Sequence, residues 1–260
     1  MRWYFLIVKG INKMKQENKT IWSLEKVITN YTEYSKKQAK ELIKNKVVKV
    51  DNKIVTQNVD FILGTNKLKI NDIKYITDEF IYIALNKPKG YICTHDQGEG
   101  KLVYDLLPKN LQNISNLNTF GRLDKDTTGL LIISNDGKLN HKLTSPNKLC
   151  TKWYNAILDK DISSAELYKF QEGIILADGT ICKSATAIYS SSKNKKNEVL
   201  VELAEGKYHQ VRRMFASLGY KVLELNRERF ANYFLDKKLS LGECKLITKE
   251  DLLSEKITIM

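Results

Sequence analysis

The segment Gly121-Arg122-Leu123-Asp124-Lys125-Asp126-Thr127-Thr128-Gly129-Leu130-Leu131 frames a carboxylate with an arginine two residues before it, two hydroxyls just after it and a glycine at each side. Two carboxylates two residues apart, Asp124 and Asp126, could serve as a glycosidase-like acid/base pair or as metal ligands. The run Leu130-Leu131-Ile132-Ile133 is apolar and stops at Ser134-Asn135-Asp136-Gly137, which predicts a buried strand ending in a turn. Asp124 is therefore expected in a loop pinned to a core strand, both accessible and rigid. A second block, Glu205-Gly206-Lys207-Tyr208-His209-Gln210-Val211-Arg212-Arg213-Met214-Phe215, sets two arginines in the first turns of a helix. Cations are disfavoured at that end, so the pair suggests a task. Lys87 and Lys89 flank the Pro88–Gly90 turn, and Tyr154 follows in Lys152-Trp153-Tyr154.

The elements that must position these groups show in the hydrophobic pattern. Ile81–Leu85 and Glu198–Leu203 read as strands. Val211, Met214, Phe215 and Leu218 form the apolar face of a helix closed by Gly219. Leu223–Arg229 is strand-like, with Arg227 and Arg229 alternating along it; the plain reading of those arginines is pairing with Glu224 and Glu228. Further upstream, Ile21, Leu24, Val27, Ile28 and Tyr31 recur at helical spacing. A second helix opens at Ser35, with Gln38 completing a capping box, and a hairpin turns at Asp51-Asn52 between Val47–Val50 and Ile54-Val55. Residues 61–76 add short strand-like pieces.

Of 260 residues, 42% are hydrophobic, enough for one large domain or two unequal ones. The net charge is +13. Residues 1–76 hold 16 Lys/Arg against 7 Asp/Glu, whereas residues 77–260 hold 27 against 23. A basic N-terminal quarter on a nearly balanced body predicts a polyanion-binding module attached to something else. Cys93, Cys150, Cys182 and Cys244 lie far apart with no C-x-x-C pair, which argues against a zinc knuckle or a disulfide scaffold and for a reducing, cytoplasmic setting. No apolar run approaches the ~18 residues of a membrane span. Residues 1–19 read as an N-terminal extension without an assigned function.

Helix, basic helix and V-x-V-[DN]-[NG] hairpin over residues 20–76 resemble the αL RNA-binding fold, which implies phosphate contacts from Lys26, Lys36, Lys37, Lys40, Lys44 and Lys46. The blocks L-N-K-P-x-G-Y (85–91), G-R-L-D-x-D-T-T-G-L (121–130), K-x-Y (152–154), E-G-x-Y-H-Q-V-R-R-M-F (205–215), L-x-R-E-R (225–229) and L-x-x-G-E (239–243) follow in order. Over about residues 20–252 they resemble the ribosomal RNA pseudouridine synthases of the Rsu type. The resemblance implies an α+β protein: an N-terminal extension (1–19), a small αL-type RNA-binding domain (20–76), and a catalytic domain (77–260) with a mixed, largely antiparallel sheet flanked by helices. It implies isomerisation of uridine to pseudouridine in ribosomal RNA, without cofactor or metal, by a monomer acting on ribosomal RNA or a subunit precursor and not on a membrane.

By the same resemblance Asp124 is the essential carboxylate, acting on the ribose at C1′ or on a C2′ proton. Tyr154 stacks on the target base, and Arg212 occupies the position that pairs with the aspartate, where a cation would keep the carboxylate ionised. Lys87, Arg122, Arg213, Arg227 and Arg229 become candidate RNA contacts. Asp126 becomes a loop residue, and Leu203 and Leu225 pack behind the site. Trp153 and Phe230-Ala231-Asn232 depart from the family pattern. The Y-H-Q-V and E-L-x-R-E-R wording favours a small-subunit, 16S-type target over the large subunit. The rival readings are a non-catalytic RNA-binding assembly factor and a metal-dependent nuclease using Asp124 and Asp126; the retained set Asp124, Tyr154 and Arg212 argues against the first, since binding alone gains nothing from a carboxylate facing a polyanion.

Overall fold

The computed structural model describes residues 19–145, 150–190 and 195–254; the extension expected at 1–19 lies almost wholly outside them. The chain divides into two compact units, with the boundary between Glu79 and Phe80. Among the described residues no helix is long and apolar enough to cross a membrane.

In the first unit, Ile21–Ser23 (β1) pairs antiparallel with Asp60–Ile62 (β4). Helix α1 (Leu24–Tyr31) starts at Ser23, whose side chain accepts from Lys26 N, and buries Leu24, Val27, Ile28 and Tyr31. The helical spacing includes Ile21, but that residue lies on β1 and is exposed; pairing with a strand some 40 residues away overrides the local period. Helix α2 (Lys36–Lys44) carries the expected capping box between Ser35 and Gln38. Val48–Val50 (β2) turns through Asp51 and Asn52, both at positive φ, into Lys53–Ile54 (β3). That is the turn chemistry a two-residue hairpin requires. Leu68–Ile70 (β5) and Ile73–Tyr75 (β6) complete a sheet in the order β3-β2-β5-β6.

The second unit is built on one sheet, in the order β11-β12-β10-β13-β9-β7-β15. Its members are β7 (Tyr82–Lys87), β9 (Thr128–Ser134), β10 (Lys152–Leu158), β11 (Thr186–Tyr189), β12 (Glu198–Leu203), β13 (Val222–Phe230) and β15 (Cys244–Ile247). Two short strands, β8 (Asn118–Thr119) and β14 (Tyr233–Phe234), add to β9 and β13. Every pairing is antiparallel except β13 with β9, which is parallel and spans only Asn226↔Thr128 and Arg227↔Gly129. Gly129 is required there: φ is +99°, and an added Cβ would meet Arg227 N at 2.7 Å and Asn226 Oδ1 at 2.9 Å.

This seam separates two hydrophobic clusters. One packs β10, β12 and β13 against α5 (Ser164–Glu172) and α6 (Gln210–Ser217) through residues such as Phe170, Val201, Met214 and Phe215. The other packs β7 and β9 with α4 (Gly137–Thr144) and α7 (Lys249–Leu253) around Phe120, Ile132 and Phe230. A short helix α3 (Lys109–Gln112) lies in the connection between β7 and β8. The α+β architecture and the largely antiparallel sheet match the expectation.

Candidate active site

Asp124 sits where the loop from Gly121 enters β9, at the parallel seam. The loop is fastened from below. Lys87, at the end of β7, is fully buried, and its Nζ donates to the carbonyls of Asp124 (3.0 Å), Thr127 (2.9 Å), Lys125 (3.2 Å) and Pro88 (3.2 Å). Gly90 N donates to Lys125 O (2.9 Å), and Thr127 N closes a turn on Asp124 O (3.1 Å). Burial pulls the Lys87 pKa down, against the pull of nearby groups including Asp124 and Asp126. The expectation that Lys87 meets RNA phosphate is therefore corrected: no surface is left for it, and its ammonium is a clasp on the Asp124 loop.

The Asp124 carboxylate remains about one-third exposed, and Oδ1 lies 3.5 Å from His209 Nε2, an ion pair when the ring is protonated. His209 precedes α6 with φ +46° and stacks on Tyr208, ring centroids 3.9 Å apart. Backbone of that kind is strained for a non-glycine residue and is found at sites where surroundings over-determine it. Here Gln210 supplies the bracing: its Oε1 accepts from Lys207 N (2.9 Å) and its Nε2 donates to Glu205, which also accepts from Lys183 N (2.9 Å). Tyr154 stands on β10 beside a bulge at Trp153/Tyr154 and opposite Arg227. Asp124, Tyr154, Arg122, Leu203, His209 and Leu225 line one small cavity, so the two apolar residues do pack behind the site. Asp126 is exposed on the loop.

The other expected cations divide sharply. Arg212 donates Nη1 to Val222 O (3.0 Å) and makes no ion pair with Asp124; His209 holds that place. Arg213 engages Asp178. Arg229 donates Nε to Ala231 O (2.6 Å) beside the paired rings of Trp153 and Phe234, 5.2 and 5.3 Å away, with Glu202 at 3.6 Å. It is thus an internal brace rather than an RNA contact, and the two departures from the family pattern meet on it. Glu224 pairs with Lys89 instead (3.7 Å). Arg227 is 1% exposed and donates Nε to Leu130 O (2.8 Å), which removes it from the set of surface contacts. Arg122 alone of this group is exposed at the rim. Lys26, Lys36, Lys37, Lys40, Lys44 and Lys46 are all exposed on the first unit. Sequence reasoning missed His209 and also Lys152, which is half-buried in a larger neighbouring cleft. A usable signal existed for the first: it is one of only three histidines and stands just before a helix beside two arginines.

Among the described residues no three His, Cys, Asp or Glu side chains are grouped as metal ligands. The site is a small recess in which Asp124 stands with a histidine beside it, a tyrosine face, the Glu205 carboxylate and a basic rim. Residues 81–217 match the family described as RNA pseudouridylate synthase. The chain belongs to that family. Its activity is therefore isomerisation of uridine in RNA. A ribosomal small subunit pseudouridine synthase A from Vibrio cholerae serotype O1 is 35% identical over 231 residues, 89% of this chain and 98% of that protein. A ribosomal large subunit pseudouridine synthase B from Bacillus subtilis is 34% identical, covering 88% and 93%. A crystal structure of a pseudouridylate synthase superposes with a TM-score of 0.61 at 31% identity, covering 88% of this chain and 97% of that one. These likenesses extend through both units, beyond the span of the family match.

Proposed function

We propose that this pseudouridine synthase acts on a single uridine of small-subunit ribosomal RNA, with Asp124 as the carboxylate that works on the ribose. The observation that carries the reading is the placement of Asp124: a partly exposed carboxylate on a loop held by three hydrogen bonds from Lys87, sharing one recess with Tyr154. A catalytic group must be held within a fraction of an ångström of its target, and the clasp does that without consuming the carboxylate oxygens.

The chemistry conserves every atom. The N1–C1′ bond breaks, the uracil turns within the recess, and C5 bonds to C1′; C5 gives up its proton and N1 gains one. Asp124 acts at C1′ or takes the C2′ proton, and both routes need it ionised. His209, whose Nε2 lies 3.5 Å from Asp124 Oδ1, takes the part that the resemblance assigns to Arg212. Tyr154 presents its ring to the base and is placed for the closing proton transfer at C5. The basic rim at Arg122 and the exposed lysines of the first unit supply sequence-independent attraction to the backbone. The small-subunit assignment rests on the wording of the Y-H-Q-V and E-L-x-R-E-R blocks and on relatives such as the Vibrio cholerae enzyme.

Pseudouridine mapping by selective labelling and primer extension tests the whole reading, in ribosomal RNA from cells carrying the wild type, Asp124→Asn or a gene deletion. One small-subunit site lost in both altered strains is expected, and purified Asp124→Asn should be slowed by at least about 10²–10⁴-fold. A lost site in large-subunit RNA would overturn the subunit assignment. No lost site in either RNA would move the protein to a different RNA or to a binding role.

A further inference from the structure

Beside the catalytic recess lies a larger cleft of about 630 Å³, and it holds more positive charge than the reaction uses. Arg227 lines it. Its guanidinium stacks 5.2 Å over Phe230, and its buried Nη2 has no hydrogen-bond partner among the described residues. Neither Arg227 nor Lys152, which lines the same cleft from β10, lies within 4.0 Å of a carboxylate among the described residues. Among the described residues the Lys152 Nζ donates only to Cys150 O (3.0 Å). Glu205, the one carboxylate in the lining, is already taken by Lys183 N, Gln210 and Lys207.

Two neighbouring cations, one buried and one half-buried, are costly in a folded protein when no counter-ion accompanies them. A ligand anion removes that cost. Burial pulls the Lys152 pKa down and the charge of Arg227 adds to the effect, while Cys150 and Glu205 pull the other way. The cleft shares Arg122 and Tyr154 with the catalytic recess, so its occupant must be continuous with the target nucleotide. An RNA strand provides one anion at each linkage.

We propose that Lys152, with Arg227 behind it, receives the phosphodiester immediately flanking the isomerised uridine, which makes the larger cleft a subsite for the neighbouring nucleotide. The inference rests on the reading of the chain as an RNA uridine isomerase. Lys152 makes the direct contact, since its Nζ is on a flexible stem. Arg227 is pinned and supplies the field that selects an anion over a base.

Phosphate ethylation interference tests this whichever uridine is the target. Small- and large-subunit rRNA transcripts, sparsely ethylated on their phosphates, are partitioned by the full-length protein into bound and free pools. The blocking positions are then read in each pool. The wild type should show a cluster of blocking phosphates. One of them, directly 5′ or 3′ of the isomerised uridine, should drop out with Lys152→Met and persist with Lys152→Arg. Binding by Lys152→Met should lose about one unit of salt slope on logarithmic axes. The remaining blocking positions report that the variant is folded. Identical patterns for wild type and Lys152→Met would overturn the proposal, as would loss of the entire pattern, a lost position remote from the uridine, or no blocking phosphate in the wild type. Failure of the functional reading would look different: no uridine converted in either RNA, whatever the interference pattern.

Discussion

Lys87 ties together the main-chain carbonyls of Pro88, Asp124, Lys125 and Thr127, so its removal should affect rate rather than affinity. With Lys87→Met, which keeps the bulk and loses the donor, single-turnover isomerisation is expected to fall on the order of 10²-fold. The Kd for RNA and its salt dependence should stay as in the wild type; a phosphate-binding lysine would give the reverse split. The partner of Asp124 is open to a similar comparison. His209→Gln should slow single-turnover conversion more than Arg212→Gln, because only His209 touches the carboxylate; a larger loss with Arg212→Gln would restore the arginine to that role. At this scale the sequence shows which residue types matter and the motif order that groups them. It does not show which cations face outward. Lys87 and Arg227 are taken inward by carbonyls some 37–40 and 97 residues away, and nothing in the local pattern reports on those acceptors.

Among the elements, α4 illustrates how the turn after β9 is held. Asp136 is buried as its N-cap, accepting from Leu139 N (2.9 Å) and from Tyr82 Oη (2.7 Å), with Lys249 3.5 Å away. Burial alone would raise its pKa; the hydrogen bonds and Lys249 outweigh it and leave the value below the ordinary 3.8. A carboxyl with a depressed folded-state pKa contributes stability in full above its unfolded value. That contribution is lost as pH falls through the folded value. Denaturant melts taken from pH 5 downward should show this loss in the wild type and a shallower acid slope in Asp136→Asn. At neutral pH Asp136→Ala should cost about 1–2 kcal/mol. Elements with local signatures were legible: the capping box at Ser35/Gln38, the Asp51-Asn52 turn and the strand ended by Ser134–Gly137. Strand β1 was not, because Ile21 fits a helical period and only its distant partner β4 makes it a strand.

On the scale of the molecule, charge and chemistry are divided between two units. Removing residues 1–79 should leave the second unit folded, as read by an unchanged thermal transition of that unit. RNA affinity should fall and its salt dependence flatten, because each lost lysine–phosphate contact removes about one unit from the slope. Equal affinity at every salt concentration would sink the assignment of the first unit to RNA binding. Within the second unit, the parallel join of β9 to β13 brings together Thr128 and Asn226, 98 positions apart in the chain. Closing so long a loop before any reward is slow. A chain emerging from the ribosome can complete β7 and β9 early, but those strands must wait for nearly a hundred further residues before the parallel join to β13 beside Asp124 exists. The seam beside Asp124 can therefore form only after Asn226 and Arg227 have been made, and a product that ends before β13 lacks it.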